Sequence, residues 1–173
     1  MSAQRTPKRW CKGSTALSTQ AALGALVLAV GVLVYVLDRP AEQLAFLSAF
    51  NFADVTPTVF GVVGGSLPTF AHTFAFSLLT AAWLGGGKRA GLWACLIWFG
   101  IDSAFEIGQR PGIAVHLVEI VPGWFEYLPF LAQADSYFLS GTFDTWDVIS
   151  IALGAFAAYL ITARTITGYR NHE

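Results

Sequence analysis

The chain has 173 residues, of which 55% are hydrophobic, 14% aromatic and only 12% charged, with a formal net charge of −1 and a mean hydropathy of +0.57. A soluble domain of this size carries about 25% charged residues, so the composition excludes an ordinary water-soluble domain and points to a membrane bundle. Length allows a single domain, and helices are the economical way to satisfy a backbone in lipid.

In chain order, residues 1–18 read as a basic tail carrying Arg5, Lys8, Arg9 and Lys12. The uncharged run Thr19 to Leu37 follows, long enough to cross about 30 Å of hydrocarbon. It exceeds the apolar core of a secretory signal and has no convincing small-x-small cleavage site, so it reads as a retained signal anchor. Further spans are expected over about 69–85, 90–108 and 148–165, the second and third joined by a tight Gly85-Gly86-Gly87-Lys88-Arg89 turn. Residues 167–173 form a closing tail, and 19–166 one transmembrane domain.

The segments between spans, 38–68 and 109–147, are read as lying on the opposite side from the tails. In the first, Glu42 to Leu47 is a short mixed stretch, and Pro57 with Gly61, Gly64 and Gly65 predicts loop. In the second, Pro122, Gly123 and Pro129 break an apolar sequence before it reaches spanning length. Its Trp124, Phe125, Tyr127, Phe130, Tyr137 and Phe138 suit an interfacial segment, with a re-entrant one as the alternative. The expected fold class is all-α: a polytopic membrane bundle of four transmembrane helices with this interfacial or re-entrant outer segment.

Charge sets the orientation. With four spans, eight of the ten basic residues (Arg5, Lys8, Arg9, Lys12, Lys88, Arg89, Arg164 and Arg170) fall on one side and ten of the eleven acidic ones on the other. The positive-inside rule then predicts cytoplasmic N and C termini. The four N-terminal basic residues enforce topology and touch anionic lipid, so nucleic acid is not an expected partner. Cys11 and Cys95 are kept apart by this topology, and no disulfide is expected.

The chemistry begins in the third span, IWFGIDSAFEIGQR, where Asp102, Glu106 and Gln109 share one helix face. Carboxylates in hydrocarbon are expensive and therefore functional candidates, unless both lie near enough to the interface to be hydrated. His72, about one turn into the second span, is expected at matching depth and in reach of Glu106. Such a pair can shuttle a proton or help to hold a metal; otherwise His72 is a helix-packing donor. Asp144 and Asp147 stand at the start of the fourth span, where Asp147 also suits helix capping. Ser150, Gly154 and Ala158 continue down that face and predict close approach of a neighbouring helix.

These residues carry a resemblance. His72-x-x-x-Phe76-x-x-Leu79, Glu106-Ile107-Gly108-Gln109 and Asp147-Val148 through Leu153-Gly154 resemble the VanZ-like family of small bacterial membrane proteins, over roughly residues 67–165. Ile151 stands where the family has asparagine, and the arginine expected before the aspartate is missing, with Arg110 the candidate replacement. The resemblance implies a bacterial cell-envelope protein of the cytoplasmic membrane but supplies no reaction. The chain lacks G-x-S-x-G, H-E-x-x-H and the E-E-x-x-x-R of intramembrane CAAX-type proteases, and has no internal repeat of the kind that builds a transporter site.

Two functions stay open. In one, an outward-facing site acts on an envelope lipid or lipid-linked precursor, with His72, Glu106 and Asp147 catalytic and Asp102, Gln109, Arg110 and Asp144 binding substrate. A phosphate among so many carboxylates requires a divalent metal, with His72, Glu106 and Asp147 its candidate ligands. In the other, the protein is a non-enzymatic scaffold or partner-binding subunit whose polar cluster is structural.

Overall fold

The computed structural model describes residues 10–38, 59–85, 87–128 and 134–170, and all regular structure among them is helical. The order is α1 (Trp10–Asp38), α2 (Gly61–Trp83), α3 (Lys88–Gly108), α4 (Pro111–Ile120), a 3-10 turn (Gly123–Tyr127), α5 (Ala134–Ser140) and α6 (Thr145–Arg170). The expected stretch Glu42 to Leu47, Pro57, Pro129 and Phe130 lie outside the described residues.

Among the described residues, three segments are long and apolar enough to cross a membrane: Leu17–Asp38, Lys88–Gly108 and Thr145–Thr165. This is a membrane protein by the physics of its helices: each approaches the roughly 30 Å that 20 residues span. The helix α2 has 23 residues and no formal charge, with Thr69, His72, Thr73, Ser77 and Thr80 placing polar side chains along it. It packs against α1, α3 and α6, so much of its surface meets protein, where hydroxyls find partners.

Contacts at the two ends fix alternating helix directions. At one end, the Asp38 carboxylate closing α1 accepts hydrogen bonds from the backbone N–H groups of Val59 and Phe60 ahead of α2, at 2.7 and 2.9 Å. At the other, Gln20 Nε2 near the start of α1 donates to Thr165 Oγ1 near the end of α6, at 2.7 Å. Lys88, Arg89 and Arg164 belong to that second, basic end; Asp38, Asp102, Glu106, Asp144 and Asp147 belong to the first, acidic one.

Small residues let the helices close up. The centre holds Phe74, Leu78, Cys95, Ala155 and Ala158, with Ala71, Ala75, Ala81 and Ala94 also buried, a composition suited to bundles held by van der Waals packing rather than by water exclusion. A Cβ on Gly154 would stand 2.7 Å from the Phe70 carbonyl oxygen, and one on Gly31 2.9 Å from the Ala71 Cβ. The expected small face of the last span is thus in place against α2. Cys95 is buried and unpaired in any disulfide.

The sequence reading misplaces the start of α2. Gly61, Gly64 and Gly65 were expected in a loop and the helix at residue 69, yet α2 begins at Gly61 and runs through Pro68. Gly61 takes a φ of +53°, turning the chain into the helix, and Gly64 leaves room for Asp38, whose Oδ2 would lie 2.7 Å from a Cβ there. These glycines admit a cap from another helix rather than breaking this one. The α2–α3 connection turns at Gly85, with φ +88°, but Lys88 and Arg89, expected in the turn, already belong to α3. The helix α1 also starts earlier than the expected residue 19, at Trp10.

Candidate functional site

The acidic end gathers polar side chains from α2, α3 and α6. Along α2, Thr69 and Thr73 are one turn apart and serve acids on two different helices. Thr69 Oγ1 donates to Asp147 Oδ1 of α6 at 3.1 Å. Thr73, wholly buried, donates to Asp102 Oδ2 of α3. The same oxygen lies 3.2 Å from His72 Nδ1. A carboxylate offers lone pairs only, so an ionised Asp102 takes donors from both neighbours.

His72 was expected at the depth of Glu106 and pairs instead with Asp102, one turn further into α3. Its ring stands 4.4 Å from that of Phe76 and 5.7 Å, edge-on, from that of Trp98. Trp98 is held in turn by donation of its indole N–H to Thr80 Oγ1 at 2.9 Å. The His72 side chain is 46% exposed, whereas that of Asp102 is 10% exposed.

Glu106, 7% exposed, does a different job. Its Oε1 accepts the backbone N–H of Asp144 at 2.7 Å, tying the end of α3 to the residue before α6. Asp144 Oδ1 then accepts the Trp146 N–H at 2.9 Å, as a side-chain cap does at a helix start. Asp147 is spent on Thr69. The three metal candidates, His72, Glu106 and Asp147, are therefore divided among separate hydrogen bonds. Among the described residues no three His, Cys, Asp or Glu side chains are arranged to hold a metal ion.

Gln109 and Arg110, expected to contact substrate, are occupied by the neighbouring segment. Gln109 hydrogen-bonds the Tyr137 phenol of α5 and lies so close to Gly141 that a Cβ there would overlap it. The Arg110 guanidinium sits over the Phe143 ring at 4.1 Å, a cation–π contact. The helix α5 rests on α3 through Phe138, stacked on Phe105 and in contact range of Gly108. Burial, and then the nearby Tyr35 and Glu106, push the Tyr137 phenol up to about 12.

A groove of about 480 Å³ opens between the first halves of α2 and α6, lined by Val63, Leu67, Phe70 and Trp146 with Ser66, Ser150 and Asp144 as its polar members. One turn beyond Ser150, Gly154 brings α6 against the Phe70 backbone. Sequence reasoning named Asp144 but missed the groove, and it missed Thr69, Thr73 and Trp98 as partners of the acids. The available signal was a pair of threonines four apart flanking His72, which puts two hydroxyls on nearly the same face of a span that otherwise needs none. No protein-family model, curated protein or solved structure matches the chain.

Proposed function

We propose that the chain is a four-span, VanZ-like integral membrane protein of the bacterial cytoplasmic membrane, with both termini cytoplasmic, that binds an envelope lipid in the groove between α2 and α6. The groove carries this reading. It joins apolar walls to a polar rim, at the end of the bundle that the positive-inside rule assigns to the outer leaflet. Lipid is the medium around these helices, and Trp146 at the rim and Trp124 and Tyr127 on the connecting segment are exposed, as amphipathic rings at the headgroup level are.

Charge selects the headgroup. Asp38, Asp102, Glu106, Asp144 and Asp147 crowd this end, and among the described residues Arg110 is the only Lys or Arg there. A lipid-linked phosphate that brings no cation of its own is repelled by these carboxylates, whereas an ammonium beside Asp144 is favoured. The expected ligand is a zwitterionic, amine-bearing glycerophospholipid. Ser150→Phe fills the groove, so native mass spectrometry should find bound phosphatidylethanolamine on the parent protein and little on the variant at equal thermal stability. Equal retention by both, or preference for phosphatidylglycerol, defeats the reading.

A second reading, that the polar cluster is structural and the protein a partner-binding subunit, is favoured by one set of observations. Glu106, Asp147 and Gln109 are each engaged in a hydrogen bond that fixes the ends of α3, α6 and α5. The two readings are compatible for those three residues, and the site is accordingly proposed as a binding site without a catalytic role for Glu106 or Asp147.

A further inference from the structure

The His72–Asp102 pair lies away from the groove. Successive helical residues turn by about 100°, so Val63, Leu67 and Phe70 occupy one side of α2 while His72 and Phe76 occupy the other. His72 opens on the α2–α3 seam, beside Phe76 and Trp98. Asp102 lies six residues before the end of α3, roughly 9 Å along the helix, which sets the pair at acyl-chain depth when α2 and α3 cross the bilayer.

The hydrogen-bond pattern fixes which ring nitrogen is left over. Asp102 accepts from Thr73 and from His72 Nδ1 on one oxygen, so a neutral His72 carries its proton on Nδ1 and presents a lone pair at Nε2. The carboxylate behind the ring holds it in that tautomer and orientation. Trp98, the nearest indole, gives its only proton to Thr80. Among the described residues no side chain donates to Nε2 of this half-exposed histidine. A bare acceptor on a lipid-facing wall is matched by a donor that arrives dissolved in lipid.

We infer that the α2–α3 seam binds a lipid-borne hydroxyl, which donates to His72 Nε2 while its apolar body lies along Phe76 and Trp98. The rings beside His72 favour a flat hydroxyl-bearing head, a hydroquinone, over an aliphatic alcohol, because offset and edge-on ring contacts add to the apolar burial. Asp102 of α3 is the charged group that faces the imidazole. The inference rests on α2 and α3 crossing the membrane and is independent of the groove.

Nitrogen-15 NMR of histidine-labelled protein in nanodiscs tests it, with the His72 signals assigned by their loss in His72→Phe, a change that retains a ring against Phe76. The free parent protein should show a protonated Nδ1 and a bare Nε2 for His72. A short-tailed hydroquinone should shift the Nε2 signal saturably, leaving His116 and His172 unmoved. Asp102→Leu, which releases the tautomer, should weaken that binding about tenfold, the equivalent of one hydrogen bond. A long-chain alcohol that binds as tightly as the hydroquinone supports the hydroxyl site and overturns the ring preference. A protonated Nε2 in the parent protein, or no saturable shift with either probe, overturns the proposal without bearing on lipid in the groove.

Discussion

Two carboxylates one turn apart on α3 have been put to different uses by what lies opposite them. Asp102 faces two side-chain donors, Thr73 and His72, and so keeps an imidazole beside it. Glu106 faces a backbone N–H, that of Asp144, which has no side chain to exchange and no chemistry to offer. The consequence for Glu106 is a stability role that depends on an acceptor rather than on charge. Glu106→Gln retains an acceptor for Asp144 and should leave thermal stability nearly unchanged. Glu106→Leu strands a backbone donor and should cost on the order of 1–3 kcal/mol, read as a lowered denaturation midpoint in nanodiscs. A Gln variant as damaged as the Leu variant would mean that the negative charge itself is needed at this position, and would reopen a binding or catalytic role for it.

At the scale of elements, the bundle is set by where backbones touch. The helix α6 meets α2 at Gly154, where a Cβ would come within 2.7 Å of a backbone oxygen and 3.3 Å of the Phe74 backbone nitrogen. Neither neighbour is a flexible side chain, so Gly154→Ala must push the helices apart and should destabilise by about 1–3 kcal/mol; Gly100→Ala, which meets nothing within 4 Å, is the control, and equal stability of the two variants would discount this contact. The Ser150, Gly154 and Ala158 stripe was legible in the sequence because helical period alone puts them on one face. The spans within α1, α3 and α6 were legible too, each marked by a run of spanning length. What was not legible depends on partners distant in the chain. The start of α2 is held by Asp38, 21 residues before Val59, and no local pattern distinguishes glycines that admit such a cap from glycines that break a helix. The partner of His72 was missed for a related reason: a tight turn aligns two antiparallel helices only to within about a turn, 5.4 Å, which is the separation between Glu106 and Asp102.

For the molecule as a whole, the topology turns on whether α2 crosses the membrane with α1, α3 and α6. It runs antiparallel to α3 through the turn at Gly85 and is capped by Asp38 at the far end of α1, so it joins the same two levels that α1 and α3 join. At 23 residues it is roughly 34 Å long. Exposed Trp83 and Trp93 flank Lys88 and Arg89 at the basic end, and exposed Trp124, Tyr127 and Trp146 lie at the acidic end, two aromatic levels separated by about the length of α3, as anchors at two interfaces are. Four spans put both termini on one side; three put them on opposite sides. In a Cys11→Ser, Cys95→Ala background, a single cysteine at Tyr127 should react with a membrane-impermeant maleimide added to intact bacterial cells, and one at Lys88 only after lysis. A C-terminal reporter active only in the cytoplasm should remain active. Labelling of Lys88→Cys in intact cells overturns this arrangement in one of two ways: with the N terminus outside it reverses the orientation, and with a cytoplasmic N terminus and a silent C-terminal reporter it removes α2 from the membrane. That second result would place His72 in water and end the case for a lipid-facing site on the α2–α3 seam.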